Sequence, residues 1–571
     1  MRYLIQNGII VDGTGNRCFP GSVLIEDDRI AEVIPEADAG QKSDTVRGQK
    51  PDADCSRNMN VETPVIDEKG LRQNSDNELI VIDAKGGYIT PGFVDIHRHG
   101  DWKALTCGDD ELLNRQGITT VINGNCGLSA APQAGEHERE TEHFLRSFLG
   151  RKPENFRIDP AASMHQYFTC LRMVKRSVHT GILVGGGSVR ASVAGYAAGA
   201  LTKEQEALIR ERIRESLDAG AVGVSLGMGY DPEFAYNEDD LVRVLAPVKG
   251  AGIPVAVHIR TEGDGAAEAV GEMIRVSERL KAPLHLSHMK CIGKRNWRVT
   301  CQRELELVRE ARSKGLDITM DAYPYITGAT QLVHLIPPRF LSGGTDDLIA
   351  CLKDERMRAL ITRELKQPSE RFENIVELAG FDHIAVTGLQ SGSFLSFEGC
   401  TIARIAKELG RDPYDTLYDI LLEEELEPAM LDTYGCEQDM IDFLREDYCS
   451  LISDAIYPEG GCCHPRVYDS FPRFLIRYVR ERAVFSIEEA VRKMTSLPAS
   501  LYALDRGILK KGMPADLCVF LLENLKSQAD FDHPDRMCTG FDYVFTAGSP
   551  CVVKDVWKNS GNAAVLTGRG R

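Results

Sequence analysis

No stretch of this chain approaches the roughly 18 to 20 consecutive apolar residues that a bilayer-spanning helix needs, which argues against a membrane-embedded helical protein. A secretory start is also missing. MRYLIQNGIIVDGTG alternates apolar and polar residues like a strand and has no basic segment followed by an apolar block. Long Lys/Arg runs are absent, and a formal net charge of -18 would repel a polyanion, so nucleic acid is excluded as a partner. The 16 cysteines, including adjacent Cys462 and Cys463, follow no regular spacing. That pattern fits a cytoplasmic chain with mostly free thiols, a few of them available to a metal. Nothing in the residues fixes an oligomeric state.

What is present points to a barrel. With 571 residues, 43% hydrophobic and 27% charged, the chain has the balance of a soluble globular protein and suits a large barrel plus a smaller companion domain. Eight short β-rich runs punctuate the interior: GYITPGFVDIHRH, ITTVINGNCG, TGILVGGG, AVGVSLG, PVAVHIR, APLHLSHMK, DITMDAYPY and SLISDA. Helical patterns separate them. Thr202-Lys203-Glu204-Gln205 is a capping box opening a helix that stops at Gly220, and AAEAVGEMIRVSERL and QRELELVREARSKG repeat the pattern. This α/β rhythm predicts a (β/α)8 TIM barrel over 88–504. Residues 1–35, 79–87 and the tail read instead as antiparallel strands, predicting a small β-sandwich built from 1–87 and 505–571. Within it, 37–78 is polar and without period, a flexible surface insertion. Residues 331–384 interrupt the gap between strands seven and eight and are expected to form a lid over the barrel mouth.

The chemistry-bearing residues fall at strand ends. His97 and His99 lie at i, i+2, so on a strand both imidazoles share a face and can reach one metal. An isolated HxH is usually two exposed histidines. Here Cys126, His258, His288 and Asp454 close four other strands, at the rim where barrels of this kind place their active sites. Gly124 and Gly127 flank Cys126, whose thiolate is a soft ligand able to bridge two metals. Lys290 shares the parity of His288 and is expected at the same mouth. Arg260 and Glu262 share the face of His258, and Asp321 and Tyr323 lie on strand seven; all four are candidates to support ligands or substrate. His285, of opposite parity to His288, is expected to face the surrounding helices. His137, His143 and His165 read as surface groups; His179, His334, His383 and His533 fall on loops without an evident partner; His464 follows Asp454 closely but is no ligand.

Taken together, PGFVDIHRHGD, GNCG, HIRTEGD, SHMK, DAYPY, SDA…HPR, KMTSLPASLYALDRGILKKGMPADLCVF and LTGRGR resemble the N-acyl-D-amino-acid deacylases (D-aminoacylases) of the amidohydrolase superfamily. The likeness runs nearly the whole chain in order, apart from 37–78. It implies zinc as cofactor, with Cys126, His258 and His288 holding one tightly bound ion and His97 and His99, sharing Cys126, holding a second, weaker one. Metal-activated water would be the nucleophile and Asp454, itself at the metals, the general base and then acid. Lys290, Arg466, Tyr230 and Tyr323 would bind the small-molecule N-acyl amino acid, the two cations gripping its carboxylate.

Two departures stand out. Gly185-Gly186-Gly187 occupies a loop where the family often has a histidine, and Arg98 sits between the first two histidines, where its parity turns it away from them. Two alternatives are weighed. A hydantoinase- or dihydroorotase-like cyclic-amide hydrolase would need a carboxylated lysine on a barrel strand, and neither TGILVGGG nor AVGVSLG contains one. A non-catalytic scaffold would typically have lost metal ligands, and all six are present. An acidic side chain on the substrate would need a further cation in the pocket walled by 331–384; an apolar one would need Leu, Met or Phe there.

Overall fold

A computed structural model describes residues 1–36, 79–196, 199–390, 392–458 and 460–568. The 37–78 insertion and the last three residues of LTGRGR lie outside the described residues.

The chain starts in a sheet: β1 (Arg2–Ile10), β2 (Phe19–Glu26) and β3 (Arg29–Pro35) form an antiparallel meander. Then come β4 (Leu79–Asp83) and β5 (Tyr88–Pro91), and both pair with β1 in parallel rather than antiparallel as the sequence suggests. Antiparallel neighbours need only a tight turn, whereas the long connection between β3 and β4 lets the chain re-enter in the same direction. Tyr88–Pro91 also belongs to this sheet and not to the barrel.

The barrel begins at β6 (Phe93–Asp95) and continues through β7 (Ile118–Asn123) and a third strand in two pieces, β8 (His179–Ile182) and β9 (Val184–Gly185). β10 (Val224–Gly227), β11 (Val255–His258), β12 (Leu284–Leu286) and β13 (Ile318–Ala322) follow. An insertion with strands β14 (Thr327–Gln331), β15 (Ile384–Thr387) and β16 (Ala429–Thr433) intervenes before the last barrel strand, β17 (Cys449–Leu451). All barrel pairings are parallel. The last and first strands meet at the rim, where Asp454 N donates to His97 O at 3.0 Å and His99 N to Ala455 O at 2.9 Å. β18 (Leu517–Phe520), β19 (Phe541–Thr546), β20 (Ser549–Val553) and β21 (Val556–Trp557) then join β5, so both chain ends share one nine-stranded sheet.

Alternation along the strands divides the core. Leu284 and Leu286 of β12 and Val255 and Val257 of β11 pack outward against helix residues such as Val270, Met273, Leu305 and Val308. Val94, Ile122, Leu183, Ala256 and Ile452 point inward and form a second cluster with Ala499 and Tyr502. Each buried Val, Leu, Ile or Met among them contributes about 1.5–3 kcal/mol of hydrophobic burial, leaving the polar groups to the C-terminal rim. The expected capping box is present at Thr202 and Gln205, and its helix runs Lys203–Ala219. The insertion has its own core, including Leu348, Leu352, Ile361, Leu365, Ile405 and Leu417. It extends well past 384, because β16, the strand between β14 and β15, comes only at Ala429–Thr433.

Candidate active site

Five strands deliver side chains to one buried cluster at this rim. Cys126 Sγ lies 3.2 Å from His97 Nε2 and 3.3 Å from His288 Nε2. His258 Nδ1 is 2.9 Å from His288 Nε2. Asp454 Oδ1 lies 3.4 Å from His97 Nε2 and 3.5 Å from His99 Nε2. In three overlapping groups (His97, Cys126, His288; His97, His99, Asp454; His258, Glu262, His288) the ligand atoms lie within 4.8 Å of one another. Among the described residues, buried His258 Nε2 and His99 Nδ1, the ring nitrogens on the far side from the cluster, have no hydrogen-bond partner. Convergent imidazoles around a thiol form a donor set that fits a metal ion.

A second layer fixes these groups. Asp321 Oδ2 bonds His97 Nδ1 at 3.3 Å and His285 Nε2 at 2.8 Å, and Oδ1 accepts from the His288 backbone. Burial alone would raise the Asp321 pKa; the imidazoles of His97 and His285 outweigh it and hold the carboxylate well below its usual range. Asp454 behaves alike, burial being overcome first by Arg466 and then by the histidines. Glu262 Oε1 lies 2.9 Å from His288 Nδ1 and accepts from Lys290 Nζ at 2.6 Å.

Above the cluster is a cavity walled on one side by Thr330, His334, Glu373, Ile375, Asp432 and Tyr434 of the insertion. Arg466 Nη1 pairs with Asp454 Oδ2 at 3.0 Å, and its guanidinium stands 4.7 Å over the Tyr323 ring. Tyr323 is hydroxyl-bonded to Tyr434. Tyr230 packs 4.6 Å from the His258 ring and bonds Thr330 Oγ1 at 2.9 Å. The ten residues that the resemblance implies as metal ligands or substrate contacts thus meet here: His97, His99, Cys126, His258, His288 and Asp454 in the cluster, and Lys290, Arg466, Tyr230 and Tyr323 around the cavity.

Several expectations do not hold. His285 faces inward, not toward the helices: β12 ends at Leu286 and His288 adopts φ 37°, so parity does not carry across the break. Arg260 turns away from the cluster and pairs with Glu272 at 2.7 Å. His334 has a partner, Glu373 Oε2 at 3.3 Å, and His179 bonds Asp516 Oδ1 at 2.9 Å. Arg98 is buried against Asp95, Asp109 and Tyr457, away from the cluster as its parity indicates. Glu373 and Asp432 escaped the sequence reading because they lie in the insertion, beyond any strand-end pattern.

A closed parallel barrel carrying imidazoles, a thiol and a carboxylate on its C-terminal rim is the architecture of a metal-centred enzyme. The amidohydrolase family model matches residues 80–559, and the chain belongs to that family. It is 31% identical to the N-acyl-D-glutamate deacylase of Alcaligenes xylosoxydans xylosoxydans, over 82% of this chain and 84% of that one. To the D-aminoacylase of the same organism it is 30% identical, over 86% and 88%. The fold superposes with TM-score 0.77 and 25% identity, over 99% of both chains, on the crystal structure of the N-acyl-D-glutamate deacylase from Bordetella bronchiseptica complexed with zinc and a phosphonate mimic of the tetrahedral intermediate.

Proposed function

We propose that the protein is a zinc-dependent hydrolase that cleaves the amide bond of N-acyl-D-amino acids, releasing a carboxylate and a free D-amino acid. The observation that carries this reading is Cys126 lying between His97 and His288, with Asp454 on the cluster and two cations in the cavity directly above it. Cys126, His258 and His288 would hold the tightly bound zinc, and His97 and His99 a second ion. Zinc there supplies Lewis acidity, polarising the carbonyl and activating water as the nucleophile.

The chain's own residues supply the rest. Asp454 takes the proton from the attacking water and passes it to the departing nitrogen as the C–N bond breaks. Arg466, 3.0 Å from Asp454 Oδ2, keeps that carboxylate ionised and aimed. Lys290 and Arg466 grip the substrate's α-carboxylate, and Tyr323, beneath the guanidinium, fixes its direction. Tyr230 and the insertion exclude bulk water. The cyclic-amide alternative is disfavoured because TGILVGGG and AVGVSLG offer no lysine to be carboxylated, and Cys126, between His97 and His288, would serve in its place. A cytoplasmic location belongs to the same reading, since the cysteines of the described residues are free thiols.

The test is a panel of N-acetyl-D- and N-acetyl-L-amino acids and hydantoins, assayed with the zinc-loaded wild type and Asp454→Ala. Turnover of D-forms only is expected, with kcat lowered about 100- to 10,000-fold in the variant. Equal activity in the variant, or hydantoin turnover alone, would reject the assignment.

A further inference from the structure

One carboxyl group in the cavity has no task in the chemistry above. Asp432 on β16 is 3% exposed, lines the cavity, and meets no hydrogen-bond donor among the described residues. Its neighbour across the ladder is Gly328, where a Cβ would stand 2.7 Å from Asp432 Oδ1, so the space beside the carboxylate is kept open by the absence of a side chain. Glu373, a second buried carboxyl group, lines the same cavity and has only His334 as side-chain partner among the described residues. The cavity's two cations already face carboxylates, Lys290 against Glu262 at 2.6 Å and Arg466 against Asp454 at 3.0 Å.

The placement of the substrate follows from its connectivity. If the α-carboxylate lies on Lys290 and Arg466 and the amide over the metal cluster, the side chain on the intervening Cα must point into the remaining wall. That lining includes the apolar Ile292 and Ile375 and the carboxyl groups of Asp432 and Glu373. Among the described residues no lysine or arginine besides Lys290 and Arg466 lines the cavity, and His334 is already engaged by Glu373, so a side-chain carboxylate would find no free cation to pair with.

Resting on the deacylase reading, we propose that this enzyme selects N-acyl-D-amino acids with a basic side chain, an aliphatic stem ending in an ammonium or guanidinium that Asp432 recognises. Burial, and then the charge of Glu373, push the Asp432 carboxyl up to about 8 in the empty cavity. An incoming cation relieves both effects, which is what a specificity site requires. Asp432 is thus a specificity-determining residue, and acidic side chains are disfavoured because they meet no free cation there.

The experiment compares kcat/KM for N-acetyl-D-lysine, -D-arginine, -D-leucine, -D-glutamate and -D-aspartate in the wild type and in Asp432→Asn, with free D-lysine and D-glutamate as competing inhibitors. We expect the basic substrates to exceed the acidic ones by at least about 10-fold. In Asp432→Asn the D-lysine to D-leucine ratio should fall by a similar factor, chiefly through KM, and D-lysine should inhibit less well. A wild type that prefers D-glutamate or D-aspartate, or a ratio unchanged in the variant, overturns the inference while leaving the deacylase reading intact. Failure to turn over any N-acyl-D-amino acid overturns both.

Discussion

Cys126, His288 and Asp454 stand in left-handed backbone, at φ 52°, 37° and 52°. For a residue with a side chain this costs about 1–3 kcal/mol, which the surrounding structure must offset. Each lies past the end of its strand, and the turn re-aims its side chain toward the barrel axis. Here the limit of sequence reading is visible. Residue types at strand ends identified the cluster, and counting by two grouped His97 with His99, but the same counting misplaced His285, since a left-handed turn is silent in the pattern. Asp321 was legible only as a candidate on strand seven; its role emerges from the carboxylate reaching both His97 and His285. That contact makes a prediction. In Asp321→Asn the amide oxygen can satisfy only some of these donors, and the tautomer of His97 that directs Nε2 at the cluster is no longer enforced. Zinc affinity, measured by chelator competition, should fall about 10- to 100-fold, with activity partly recovered in excess zinc. Unchanged affinity would show that Asp321 merely fills space.

The turn after β7 shows the same economy at the level of an element. Gly124-Asn125-Cys126-Gly127 leaves the strand, presents the thiol and passes within touching distance of the next strands. Gly127 has φ 72°, and a Cβ there would lie 2.0 Å from Glu233 Oε2 and 2.7 Å from Gly227 N. Glu233 is buried, accepts from Gly227 N at 2.7 Å, and fills the space beside Gly186 and Gly187, which open the helix Gly186–Ala194 rather than the loop expected from the sequence. The sequence marks the glycines plainly; what they make room for comes from Glu233, a residue outside any strand-end pattern. Gly127→Ala combines a disfavoured backbone with a collision against a buried carboxyl, so a loss of about 2 kcal/mol or more is expected. Thermal melts should show a lower Tm, and metal analysis a reduced zinc content as Cys126 is displaced. Combining it with Glu233→Ala should recover part of the zinc content, because the collision with the carboxyl is then gone while the close approach to Gly227 N remains; a double variant no better than G127A would place the defect in that backbone contact or in the left-handed backbone.

Across the whole molecule, the repeating strand and helix pattern made the barrel readable, since each of its units is local in sequence. Pairings between distant segments were not: the parallel entry of β4 and β5, and the return of β16 to complete the insertion, depend on chain lying far away. The joint between the end sheet and the barrel is of this kind. Asp516, just before β18, is buried and binds His179 Nε2 of β8 at 2.9 Å, Arg506 Nη1 at 2.9 Å and Ala547 N at 2.8 Å. Burial would raise its pKa, yet His179 and Arg506 outweigh burial and keep it ionised. Replacing it by Asn leaves a buried guanidinium without its counter-charge, a change that costs about 3–5 kcal/mol when one member of a buried pair is removed. Asp516→Asn should therefore lower the Tm by several degrees while leaving zinc content intact, since none of its partners touches the cluster. If the contact couples the two parts, hydrogen exchange in β18 and in β8 should rise together in the variant. Faster exchange confined to β18, with β8 and the Tm unmoved, would mean that the sheet is held to the barrel by apolar packing alone.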